Sequence, residues 1–236
     1  MMKRLTLGVI SVLIVVLLSG CLYSGAGDDN AAPGAYTLLV QNAVITYQKL
    51  TGVLPIHTSD IDTPLYEKYR IDFQKLLAHK LIGAVPGDAF EQGGYYYYMI
   101  VNPEDELDVK LLDLRVSQGV ADVQRLVNQY RQDKGELPLG RTYAPGFYVL
   151  DFEKLGQKQA QMKSVYSDTY LIYLLHESGN VVVDYAPEIM KAVSADQSID
   201  PEQVADLRAL LVEQTPMIPV ASYPYRWENG VPVIQE

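Results

Sequence analysis

Two stretches of this chain repeat one another in the same order, so the fold has to accommodate one unit built twice. The run from Tyr47 through Gly52 and Leu54 to Pro55 returns as Tyr130, Gly135, Leu137 and Pro138, all at an offset of 83. Ile71-Asp72-Phe73-Gln74-Lys75-Leu76 returns as Leu150-Asp151-Phe152-Glu153-Lys154-Leu155, at an offset of 79. Tyr95 to Tyr98 returns as Tyr170 to Tyr173, at 75, and Leu112-Asp113 as Val183-Asp184, at 71. The shrinking offset says that the second copy has lost short loop segments.

The residues within each copy predict their own local structure. Tyr36, Val40, Ala43, Tyr47 and Leu50 fall at helical spacing, as do Val116, Val120, Val123, Val127 and Tyr130. Gly52 and Gly135 then supply the left-handed cap that ends a helix, with Pro55 and Pro138 barring its continuation. Asp72 and Asp151 stand where a carboxylate caps the exposed amides of a short second helix. Aromatic and β-branched runs around Asn102-Pro103-Glu104-Asp105, and again around Glu177-Ser178-Gly179-Asn180, read as hairpins. The fold expected is α+β: two tandem helix–helix–β-hairpin units around antiparallel sheet, followed by a C-terminal helix and an extended tail. The units span residues 35–115 and 116–186. In residues 187–236, a helix starts at Asp200-Pro201 and stops before Pro216, and the Pro- and Tyr-rich end packs over the body with a turn at Asn229-Gly230. The order helix, Gly–Pro exit and small sheet resembles the globular heads of pilins and type II secretion pseudopilins, which implies a similar topology for each unit. The N-terminus does not share the pilin pattern, so no assembly role is implied.

That N-terminus is diagnostic in another way. Lys3 and Arg4 precede an apolar stretch from Leu5 to Leu18, the layout of a secretory signal. It closes on Leu18-Ser19-Gly20-Cys21, which resembles the lipobox of bacterial lipoproteins. The resemblance implies cleavage between Gly20 and Cys21, lipid on Cys21, and a location on the extracytoplasmic face of the cell membrane. The alternative is an uncleaved anchor, for which the stretch is short. Residues 1–20 are then the signal peptide. Residues 21–34 are the lipidated cysteine and a small, polar tether with a reach of roughly 20 Å by coil scaling.

Cys21 is the only cysteine, so the exported body has no disulfide to hold it. Loss of the signal leaves 17 basic against 29 acidic residues, a formal charge of −12. Such a surface excludes nucleic acid as a partner and electrostatic adhesion to anionic headgroups, so the lipid is the anchor and the acidic body stands off.

No catalytic, metal or cofactor motif is present. His57 lies in a loop near Asp60 and Asp62, His79 stands alone, and His176 sits at a hairpin turn beside Glu177, where exposure is expected. Asp88 and Glu91 mark an ordinary polar loop. Tyrosine is the one excess, at 18 residues. A ring with a polar tip suits glycans, peptides and protein interfaces. Four in a row put rings on both faces of one strand, so Tyr95, Tyr97, Tyr170 and Trp227 are the candidate binding surface unless a further layer covers them. The expected function is a non-catalytic binding or interaction module of the cell envelope, its partner another protein, a peptide or a wall polymer. The chain also resembles small lipoproteins of Gram-positive bacteria, some of which are described as ABC-transporter substrate-binding components. That resemblance implies a solute-binding alternative, although such lobes alternate strand and helix. A wall-active enzyme is the second alternative.

Overall fold

The computed structural model describes residues 32–236. The expected signal peptide, the expected Gly20–Cys21 cleavage site and most of the expected tether lie outside the described residues. The chain is a mixed α+β fold whose paired strands are all antiparallel. The first unit contains α1 (Thr37–Thr51), α2 (Phe73–Ala78) and the hairpin β1 (Tyr96–Val101) with β2 (Asp108–Asp113). The second begins with α3 (Leu114–Lys134) and continues through β3 (Leu139–Ala144), β4 (Phe147–Leu150), the short pair β5 (Met162–Lys163) and β6 (Tyr170–Leu171), then β7 (Tyr173–His176) and β8 (Val181–Val183). After it come α4 (Ala186–Ala195), a 3-10 turn at Pro201–Gln203, α5 (Arg208–Gln214) and the hairpin β9 (Tyr225–Glu228) with β10 (Val231–Ile234).

The repeat is visible bond by bond. Val40 and Val44 are buried on α1, and Val123 and Val127 on α3. Directly after the first valine of each pair, the Gln41 and Gln124 amide oxygens accept from Val109 N and Val181 N, in the second strand of their own hairpin. Gly52 and Gly135 cap the helices with the same φ of 76°. Beyond the caps, the Pro55 and Pro138 carbonyls accept from Asp72 N and Asp151 N. Lys75 and Lys154 reach back to the carbonyls of Ile56 and Leu139, at 2.6 and 2.8 Å. Arg70 pairs with Met99 as Val149 pairs with Leu174.

Several expectations are corrected. The second short helix is only a turn. The Asp151 carboxylate accepts from both Glu153 N and Lys154 N, and Gly156, at φ 65°, closes the segment before a helix forms. The loop before it is a hairpin, β3–β4, turning at Gly146. The matching first-unit segment is longer and makes only isolated bridges. The two repeat hairpins also do not share a sheet: β1–β2 stands alone, and β3-β4-β7-β8 form a four-stranded sheet. The C-terminal helix is split, because Val204 is extended and Asp206 starts a new helix by accepting from Arg208 N. The tail is not simply extended. Asn229 and Gly230, at φ 51° and 83°, turn it into β9–β10, as such a pair favours.

An isolated two-stranded hairpin is marginally stable, and β1–β2 is supported from both faces. Tyr96, Tyr98, Ile100, Val109 and Leu111 pack with α1 and α2 in one core. Met99, Val101 and Leu112 belong to the larger core of the second unit. The hairpin is a wall between the two cores, with Tyr96 and Tyr98 buried in the first and Tyr97 partly buried against the second. The segment after α5 sews the units together. Leu111 N donates to the Pro216 carbonyl and Ile218 N to Leu111, while Val183 N donates to Ala221 and Ala221 N to the Glu67 carboxylate.

Candidate functional site

Between the two units lies a cleft of about 390 Å³, lined by residues from five separate segments. Tyr96 and Asp113 come from the first hairpin, Arg115 and Val116 from the start of α3, and Met162 to Val165 from β5 and the loop after it. Met217 supplies a wall from the tail, and Pro33, four residues before α1, also lines the cleft. The composition is that of a small-molecule or peptide site: an apolar and thioether wall with a few placed polar groups.

Local chemistry fixes the polar groups. Asp113, buried at the end of β2, accepts from Arg115 N at 2.9 Å, which starts α3. The same carboxylate grips the Arg115 guanidinium through Nε and Nη2 in a bidentate pair. Those hydrogen bonds hold the arginine charged, its pKa above the ordinary range. Arg115 Nη2 also reaches Tyr96 Oη at 3.3 Å, and burial raises that phenol's pKa. Lys163 is largely exposed on the opposite rim, where it pairs with the fully exposed Asp168 at 3.4 Å. The cleft therefore presents a fixed guanidinium and an adjustable ammonium over an apolar wall.

Of the sequence candidates, two flank this cleft. Tyr95 is exposed and lies under the Arg115 guanidinium at 5.2 Å, and exposed Tyr170 is the cross-strand partner of Lys163. The other two are elsewhere. Tyr97 is half-buried between Phe90 and Arg70, with Arg70 4.5 Å above its ring. Trp227 packs from β9 against the second-unit core, opposite Pro232. The four do not form one surface. Cys21 lies outside the described residues.

His176 is buried, contrary to its expected exposure. Its ring stacks on Tyr223 at 5.1 Å and meets Phe147, and its two nitrogens bond Ser178 Oγ and Glu236 Oε1. The turn position was legible, but the tail that covers it was not. The Ser167 hydroxyl lies 2.7 Å from Lys191 Nζ, a spacing that invites comparison with a serine–lysine dyad. Lys191 also pairs with the buried Glu188, and the Ser167 hydroxyl donates to that same carboxylate, so the serine's proton is directed at Glu188 and not at the lysine. The cluster instead fastens the 164–169 loop to α4. Among the described residues no group of three or more His, Cys, Asp or Glu is placed to hold a metal ion. Nor is any of their helices long and apolar enough to cross a membrane.

Residues 35–113 match the family model described as the YphF family N-terminal domain. The matched stretch runs from just before α1 to the last residue of β2, which is the first repeat unit. No curated protein and no solved structure matches the chain.

Proposed function

We propose that the chain is a lipoprotein held by Cys21 on the extracytoplasmic face of the cell membrane, where it serves as a non-catalytic binding module through the inter-unit cleft. The observation that carries this reading is the Leu18-Ser19-Gly20-Cys21 sequence behind a cationic and apolar leader, followed by a short tether that ends at the cleft rim. Arg115 and Lys163 over a Tyr96, Met162 and Met217 wall suit a peptide or wall-polymer segment bearing a carboxylate. The antiparallel, locally connected sheets favour this over a solute-binding lobe built of parallel strand–helix units. Metabolic labelling with a fatty acid analogue tests the anchor. Wild type is expected to take up the label and Cys21→Ala to lose it, and an unlabelled wild type refutes the lipoprotein. A photo-crosslinking amino acid at Lys163 tests the cleft. It is expected to capture an envelope component that Arg115→Ala no longer retains, and capture unaffected by that change would place binding elsewhere.

A further inference from the structure

The two long helices of the repeat offer an internal comparison that the cleft does not use. At an offset of 83, their buried positions agree: Val40 with Val123 and Val44 with Val127. Their outer positions do not. Leu39 stands where α3 has Asp122, Asn42 where it has Arg125, and Leu50 where it has Asp133; just past the cap, Val53 matches Glu136. The α3 face is that of a helix in water, with Asp122 and Arg125 paired at 3.1 Å. The α1 face has no charge at these places to pair. Leu38 is 67% exposed, Leu39 55%, Leu50 67% and Val53 59%. Leu38 and Leu39 also line an open groove of about 580 Å³ with Ala35, Ala43 and Leu81. Single exposed leucines are ordinary, but a set on one helix face marks a surface that meets something apolar.

We propose that this outer face of α1 lies against the bilayer to which the chain is tethered, a reading that rests on the anchor at Cys21. Two observations select the membrane as occupant. Thr37 is 16 residues from Cys21, so α1 starts within about 55 Å of the anchor even for a fully extended chain. No acidic residue occurs from 30 to 59 in a chain that has 29, and Lys49 is the one charged residue on α1. The acidic body repels an anionic surface, whereas this face does not, and leucine seated at the headgroup boundary gains burial it lacks in water. Tethering supplies the encounter, so weak docking suffices.

The test couples residues 21–236 through the Cys21 thiol, the only one in the chain, to maleimide-bearing lipid in phosphatidylcholine vesicles with and without bromine-labelled acyl chains. A tryptophan at Leu38→Trp, in a Trp227→Phe background, reports contact, and Ala121→Trp is the matched control on α3. Melting curves of the uncoupled variants establish that each is folded. The emission of L38W is expected to be strongly quenched by the brominated chains, and that of A121W unaffected. Leu39→Asp, Leu50→Asp and Val53→Glu together should abolish the quenching, because they copy the face of α3. An unquenched L38W, or equal quenching at both sites, overturns the proposal. So does an unquenched, blue-shifted L38W in chains that crosslink as pairs, which would make a second copy the occupant. Because the coupling is chemical, the two failures are distinguishable: failed fatty-acid labelling in cells with quenching retained refutes the anchor while showing that this face still seats on lipid.

Discussion

Removing residues 216–236 is expected to leave a chain that no longer folds cooperatively, not merely one that melts a few degrees lower. Five side chains in that segment, Met217, Ile218, Val220, Tyr225 and Ile234, are almost wholly buried. At about 1.5–3 kcal/mol each, their loss amounts to roughly 7–15 kcal/mol as an upper estimate. A domain's whole net stability is about 5–15 kcal/mol. The lost polar contacts act in the same direction. Val183 N and the Tyr185 hydroxyl lose the Ala221 and Val220 carbonyls, and Asp184 loses one of its two tyrosine donors, Tyr225. Leu111 loses both of its bonds across the unit boundary. Far-UV and near-UV circular dichroism of the truncated protein should show reduced strand signal and no fixed tertiary signal. A truncated chain with native-like near-UV signal and a sharp melt close to wild type would mean that the tail only covers the body.

The sequence carried the elements whose cause is local. Gly52 and Gly135 stop their helices because a left-handed residue is needed there, and glycine at that place after an apolar stripe is readable without a structure. Asp72 caps its helix as expected, and Asp151 accepts from the matching amides, since the acceptor and the amides it serves lie within three residues. Asn229-Gly230 turns for the same kind of reason. The elements downstream of those signals were not legible. Asp151 looks identical to Asp72, yet one leads into a helix and the other into a turn, and the difference lies in Gly156 and the preceding hairpin.

The cleft was missed because no stretch of sequence contains it. It exists only once Met217 pairs alongside Leu111, more than a hundred residues away, and brings the tail against β2. One signal could have found part of it. Asp113-Leu114-Arg115 recurs as Asp206-Leu207-Arg208, and in both the aspartate accepts from the arginine's own amide and grips its guanidinium. The first arginine is left largely exposed beside the cleft, while the second is buried under Tyr66 and bonds the Ser222 carbonyl. The tyrosine run was read correctly as two-faced, but what its second face meets is set outside the run: Tyr97 lies between Phe90 and Arg70, and Tyr95 stays exposed. Sequence periodicity gives the faces of a strand, not what they meet.

The same tyrosines predict unfolding in alkali. Burial raises the pKa of Tyr66, from the ordinary 10.0 to about 12, and nearby Asp206 adds to the effect. Burial likewise raises Tyr98, Tyr143, Tyr166, Tyr185 and Tyr225. Three of these hydroxyls donate to carboxylates, Tyr98 to Asp88 and both Tyr143 and Tyr225 to Asp184, so ionising any of them sets two anions in contact. The sign is set by which state holds the proton. In the unfolded chain these phenols ionise near pH 10, whereas the folded chain keeps them protonated. Their contribution is therefore complete below pH 10 and falls as pH rises from there towards the folded values. Tyr66 alone gives up about 3 kcal/mol between pH 10 and 12, at 1.36 kcal/mol per unit. Several such groups together exceed a domain's net stability. The expected result is a flat stability curve up to about pH 10, then cooperative unfolding before pH 12. Tyrosinate absorbance should rise in step with the loss of near-UV circular dichroism, because the buried rings ionise only on unfolding. Complete ionisation of all 18 phenols while the tertiary signal persists would show that these buried hydroxyls are in contact with water. Tyr66→Phe provides the internal control, since removing one such group should move the alkaline midpoint upward.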